Sequence, residues 1–116
     1  MLMAGELGFI VGQTACDVSI VMIGGWITGV KNADMIETFF DTLAEKGHRK
    51  LLVDLSRVQN VDACGLPGLL MGWSAVEAAG GQVKLCAPTP RVLSILHNLV
   101  KATVFPDQKT AIADFD

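Results

Sequence analysis

Lys50-Leu51-Leu52-Val53-Asp54-Leu55-Ser56, followed six residues later by Asp62-Ala63-Cys64-Gly65, is the stretch whose reading decides the fold. Leu51 to Leu55 is apolar apart from Asp54. That is the pattern of a central strand in a parallel sheet, covered on at least one side. The second part stands at the mouth of a helix predicted over 66–79, which Gly80-Gly81 stops. A strand end, a short loop and a helix start make a corner where backbone N–H groups point outward at the positive end of a dipole.

Upstream, Phe9-Ile10-Val11 and Val18 to Ile23 read as two strands joined at hairpin length through Gly12-Gln13-Thr14. Gly24-Gly25 is expected to break the second strand, leaving Trp26-Ile27-Thr28-Gly29 as a loop. A first helix is predicted over 33–46, because Ile36, Phe39, Phe40, Leu43 and Ala44 fall on one stripe. Asp34 with Glu37, or Asn32, is its expected cap, and Gly47 closes it. Downstream, Gln82 to Cys86 reads as a strand. Thr89-Pro90 opens a third helix whose stripe is Val92, Ile95, Leu96 and Leu99. Val104-Phe105-Pro106 reads as a short last strand, and Asp107 as the cap of a brief helix bearing Ala111, Ile112 and Phe115. The order β-β-α-β-α-β-α, with a further β-α at the end, predicts a small single α/β domain over 1–116. Its sheet is expected to be mixed but mainly parallel, with four to five strands.

Composition narrows the function. Of the 116 residues 51% are hydrophobic and 18% charged, so a core is available and global disorder is excluded. A net charge of −3, with the nine basic residues scattered, argues against nucleic acid. The mean hydropathy of +0.46 invites a membrane reading. Yet the best apolar runs, 18–30 and 66–79, fall short of the roughly 20 residues a spanning helix needs. Met1 to Glu6 lacks the basic and apolar regions of a signal peptide, so a cytoplasmic location without membrane insertion is expected. Cys16, Cys64 and Cys86 lack metal or disulfide spacing and read as free thiols. No phosphate loop or dinucleotide fingerprint occurs, and His48 and His97 have no partner at triad or metal spacing. No catalytic residue, metal or cofactor is expected, and the chain reads as a non-enzyme.

From Leu52 onward the chain resembles the STAS family, the sulphate-transporter and anti-sigma-factor-antagonist domain. The likeness is carried by Val53-Asp54-Leu55-Ser56, Val61-Asp62-Ala63-Cys64-Gly65-Leu66, Ala79-Gly80-Gly81 before Val83-Lys84-Leu85, and Thr89-Pro90-Arg91-Val92. Gly25-Trp26-Ile27-Thr28 is similar to the family's turn before its first helix. The resemblance implies a regulatory module that docks on an anti-sigma factor, itself a serine/threonine kinase, and is released when the first residue after the corner aspartate is phosphorylated. Ala63 occupies that acceptor position and has no hydroxyl. Ser56 and Thr28 are nearby hydroxyls outside the family's acceptor position, and the Cys64 thiol at a helix start is a redox candidate beside its plainer reading as a tolerated small residue.

The second helix gives an independent clue. Leu66, Leu69, Leu70, Trp73 and Val76 share one face, the expected core side. Met71, Gly72, Ser74, Ala75, Ala78 and Ala79 form an uncharged opposite face, and Glu77 is the helix's only charge. Such a face is covered within the fold, by a partner, or by a second copy in a homo-oligomer. The expected docking residues are Thr28, Asp62, Ala63, Cys64, Gly65, Pro67, Met71 and Ala75. The alternatives are a scaffold subunit of a stressosome-like complex, an accessory of a lipid-transporting ABC ATPase and, from another class, a small-ligand sensor or enzyme.

Overall fold

The structure, a computed structural model, describes residues 7–14, 16–99 and 104–115, with side chains to residue 96 in the third helix. The expectations for Met1 to Glu6, His97 and Leu99 lie outside what it describes. In chain order the elements are β1 (Leu7–Gln13), β2 (Ser19–Ile27), α1 (Gly29–Glu45), β3 (Lys50–Val61), α2 (Leu66–Ala78), β4 (Gln82–Cys86), α3 (Pro90–Leu99), β5 (Val104–Phe105) and α4 (Gln108–Ala113). The five strands lie in sequence order in one sheet. β1 is antiparallel to β2, and every later neighbour is parallel. The small mixed α/β domain read from the pattern is the fold observed.

β3 is the axis of the sheet. Successive side chains of a strand point to opposite faces. Leu51, Val53 and Leu55 therefore enter the larger core, with Ile36 and Phe40 of α1, Leu69 and Val76 of α2, and Val92 and Leu96 of α3. Leu52 turns to the other face, where Cys86 and Ala111 of α4 complete a smaller cluster. Asp54 shares that second face and is buried. Its carboxylate is satisfied by the Ser56 N–H at 2.8 Å and Gln108 Nε2 at 2.6 Å, as a buried polar group must be. The same burial, reinforced by the charges of Asp54 and Asp107, pushes the Cys86 thiol up to about 12.

Three boundaries differ from the pattern reading. β2 does not stop at Gly24-Gly25. It bulges there, with register shifts between Met22 and Gly24 and between Gly25 and Trp26, and Gly25 has φ +101°. Trp26-Ile27 is thus strand, and Ile27 is fully buried. α1 starts at Gly29, not Ala33; Asn32 does not cap it but donates to the Trp26 carbonyl at 2.9 Å. β3 runs on to Val61, because β2 continues beside it and Val58 and Val61 remain buried. Elsewhere the caps stand as expected. Thr89 Oγ1 accepts from the Val92 N–H at 3.3 Å, Asp107 accepts from the Thr110 N–H at 2.8 Å, and Gly47 has φ +91°.

Of the uncharged face of α2, Gly72 is buried, so at that position the cover comes from within the fold. α2 packs against α1 as well as the sheet, and two glycines one turn apart set the approach. A Cβ on Gly68 would lie 2.2 Å from the Ala33 carbonyl oxygen, and one on Gly72 would lie 2.2 Å from the Phe40 ring. No helix is long and apolar enough to cross a membrane among the described residues. Gly68→Ala drives a methyl into main chain that cannot retreat, and is expected to cost about 3 kcal/mol by urea denaturation. Gly12→Ala, where a Cβ meets nothing within 4 Å, is expected to stay within about 0.5 kcal/mol.

Candidate functional site

β2 and β3 end side by side, with Ile27 paired to Val61. Each then feeds a helix. Thr28 is the N-cap of α1, extended at φ −134°, but its hydroxyl makes no capping bond. Gly65 is the N-cap of α2 and has no side chain to cap with. Both helices therefore begin without a cap of their own.

Asp62 supplies both. Its Oδ1 accepts the Gly65 N–H at 2.7 Å, the Cys64 N–H at 3.0 Å and, from across the strand ends, the Gly29 N–H at 3.2 Å. Its own N–H donates to the Ile27 carbonyl at 3.1 Å, and its carbonyl accepts the Leu66 N–H at 3.0 Å. One carboxylate thus neutralises the positive ends of two helices and holds them together. The Gly65 amide foremost, with those of Gly29 and Cys64, holds the Asp62 carboxyl below the ordinary 3.8, against a smaller opposing effect of burial. Gly65 must be glycine here, since a Cβ would lie 2.2 Å from the Ile27 carbonyl oxygen.

The outward N–H groups expected of this corner are accordingly occupied. Asp62 is itself the anion at the helix mouth. Asp62, Ala63, Cys64 and Pro67 are exposed, and Met71 one turn on is 55% exposed. Thr28 and Ala75 are half-buried, while Gly65 is buried and acts from inside. Ser56 is exposed but lies on β3, five residues before its end at Val61, and so apart from the corner.

Two exposed apolar residues beside the corner escaped the sequence reading. Val30, in the first turn of α1, is 67% exposed; Trp26 is 37% exposed, its indole N–H donating to Gln59 Oε1 at 2.9 Å. Val30 falls off the stripe of Ile36 and Phe40, and that displacement was the available signal.

The STAS domain model matches residues 11–111, which include the corner and all of α2. The chain belongs to the STAS domain family. It is 25% identical over 75 residues to BtrV of Bordetella bronchiseptica, named as an anti-sigma factor antagonist; the match covers 65% of this chain and spans 65% of that relative's length. Among solved structures, an anti-sigma factor antagonist from Mycobacterium paratuberculosis superposes with a TM-score of 0.79 at 20% identity, over 97% of each chain. A Thermotoga maritima protein described as an anti-sigma factor antagonist gives 0.74 at 23%, over 91% of this chain and 92% of that one. At these identities the structures establish the shared fold.

Asp62→Asn keeps an acceptor oxygen but removes the charge. A carboxyl held low in the folded state stabilises it above the unfolded value and loses that contribution as pH falls through the folded value. The stability gap between wild type and Asp62→Asn is therefore expected to be constant above about pH 5 and to close below about pH 4, read from urea midpoints across that range.

Proposed function

We propose that this STAS domain is a regulatory protein–protein interaction module of the anti-sigma-factor-antagonist type. It docks on an anti-sigma factor of the serine/threonine kinase class through the 62–65 corner and the outer face of α2. The observation that carries the reading is the exposed run Asp62-Ala63-Cys64, continued by Pro67 and Met71, on helices pinned at one end by a single carboxylate. Family membership and the relative named as an anti-sigma factor antagonist support it. Ala75, expected as a contact, contributes only a half-buried edge. Trp26 and Val30 extend the apolar surface on the other side of the corner.

Ala63 gives the module its particular character. A phosphate on residue 63 would bring about −1.5 to −2 charges beside Asp62, where repulsion and desolvation oppose docking. Without a hydroxyl that route is closed, and the module binds without being switched there. The same observation favours a second reading, a non-switching scaffold subunit in a larger STAS assembly or an ABC-transporter complex. The family's activity is binding, and no chemical step is assigned to this chain.

The test uses an anti-sigma factor of the serine/threonine kinase class from the same organism, with ATP. Wild type is expected to bind and to remain unphosphorylated at residue 63, whereas Ala63→Ser becomes a substrate and is released, followed by intact mass and pull-down. Stoichiometric phosphorylation of wild type at another residue, with release, would overturn the unswitched reading. Met71→Glu, on an exposed position, is expected to weaken binding at least about tenfold with an unchanged melting temperature. Unchanged binding would remove α2 from the interface.

A further inference from the structure

β1 is an edge strand, and among the described residues nothing pairs with its outer side. Its sequence, Leu7-Gly8-Phe9-Ile10-Val11-Gly12-Gln13, has no charge, no proline and no bulge against β2. Edge strands are ordinarily protected by such devices, because their unpaired N–H and C=O groups template another strand. Here the apolar side chains are also in the open: Ile10 is 62% exposed and Val11 41%.

The surface beside this edge narrows the kind of occupant. A groove of about 730 Å³ runs between β1 and α1; Phe9, Val30, Met35 and Phe39 make its apolar wall, and Lys31 and Asp34 also line it. Phe9 stacks on Phe39 at 4.2 Å and lines the groove, so Leu7 and Val11, two residues either side, share the α1 face of the sheet, while Gly8, Ile10 and Gly12 face away. The occupant must offer a strand for the edge and apolar side chains, at every second position, for the groove side. β1 itself has both.

We infer that β1 is a self-association edge, joining a second copy of this chain by antiparallel β1–β1 pairing about a two-fold axis at Ile10. That register pairs all seven residues. It sets Phe9 against Val11 of the second copy on the groove side, Ile10 against Ile10 on the other, Gly8 against Gly12, and Leu7 against Gln13. Apolar cross-strand pairs of this kind are stabilising, and no like charges are opposed. A two-fold interface uses one patch twice, which a strand with matching halves satisfies. This pairing is independent of the corner proposed for docking, which lies on β2, β3 and their helices. The contact belongs to the small, concentration-dependent class.

Sedimentation of the full chain from about 5 μM to about 0.5 mM is expected to show the mass rising from 12.3 kDa towards twice that value. Ile10→Lys sets two ammonium groups against each other across the axis and is expected to hold the chain monomeric, with an unchanged melting temperature because Ile10 is a surface residue. A directly opposed pair has Cα atoms about 4.5–5.5 Å apart, within disulfide reach. Ile10→Cys, with the exposed thiols removed by Cys16→Ser and Cys64→Ser, is therefore expected to form a covalent dimer with diamide. A monomer throughout the range would overturn the inference. So would a dimer that survives Ile10→Lys or fails to crosslink through residue 10.

Discussion

One oxygen atom sets the geometry of the end of the domain where β2 and β3 finish and α1 and α2 begin. Asp62 Oδ1 receives backbone N–H groups from the start of α1 and from the turn into α2, two segments more than thirty residues apart. Without it, Thr28 and Gly65 would leave both helix starts uncapped, since neither provides a side-chain cap. With it, α1 and α2 leave from a common point and run side by side. The close approach of Gly68 to Ala33 and of Gly72 to Phe40 then decides how tightly.

This arrangement changes what the corner can do chemically. A free helix mouth is an anion site. A mouth whose N–H groups are already bound to a carboxylate is not, and it carries a fixed negative charge in the middle of an exposed, otherwise uncharged run. A partner that covers Asp62 must leave it solvated or offer a donor. The apolar area available for docking lies around it, at Met71, Val30 and Trp26. Specificity would then come from meeting one charge, and affinity from the apolar surroundings.

Much of this was legible in the sequence, and the exceptions share a cause. The element order, the Thr89 and Asp107 caps and the central place of β3 follow from periodicity and cap chemistry, which are local. Gly24-Gly25 misled because a glycine pair that ends an isolated strand forms a bulge when the neighbouring strand continues, and that neighbour is thirty-three residues away. Asn32 and Asp34 read as caps because the true cap, Asp62, is remote in sequence. What covers the face of Gly72 stayed open because a wheel assigns one buried face, whereas α2 buries a second against α1. At the corner, the Asp62-Ala63-Cys64-Gly65 run was visible, but not the bond that Asp62 accepts from Gly29 across the strand ends. Which neighbours are exposed depended on the α1–α2 contact, which no local pattern encodes.

The self-pairing inferred at β1 and the docking proposed at the corner would have geometric consequences for each other. β1 is antiparallel to β2, so a β1–β1 pair about a two-fold axis makes β2 and β3 of one copy antiparallel to those of the other. The corner stands where β2 and β3 end, at Ile27 and Val61. The two corners would therefore face opposite ends of a continuous sheet, neither covered by the pairing. A dimer of this kind would offer the proposed docking site twice without changing it. Two sites on one rigid sheet bind a bivalent partner far more tightly than one site does, provided the partner spans them. On the proposed reading, in which residue 63 carries no phosphate, this would add a control on occupancy, the module's own concentration.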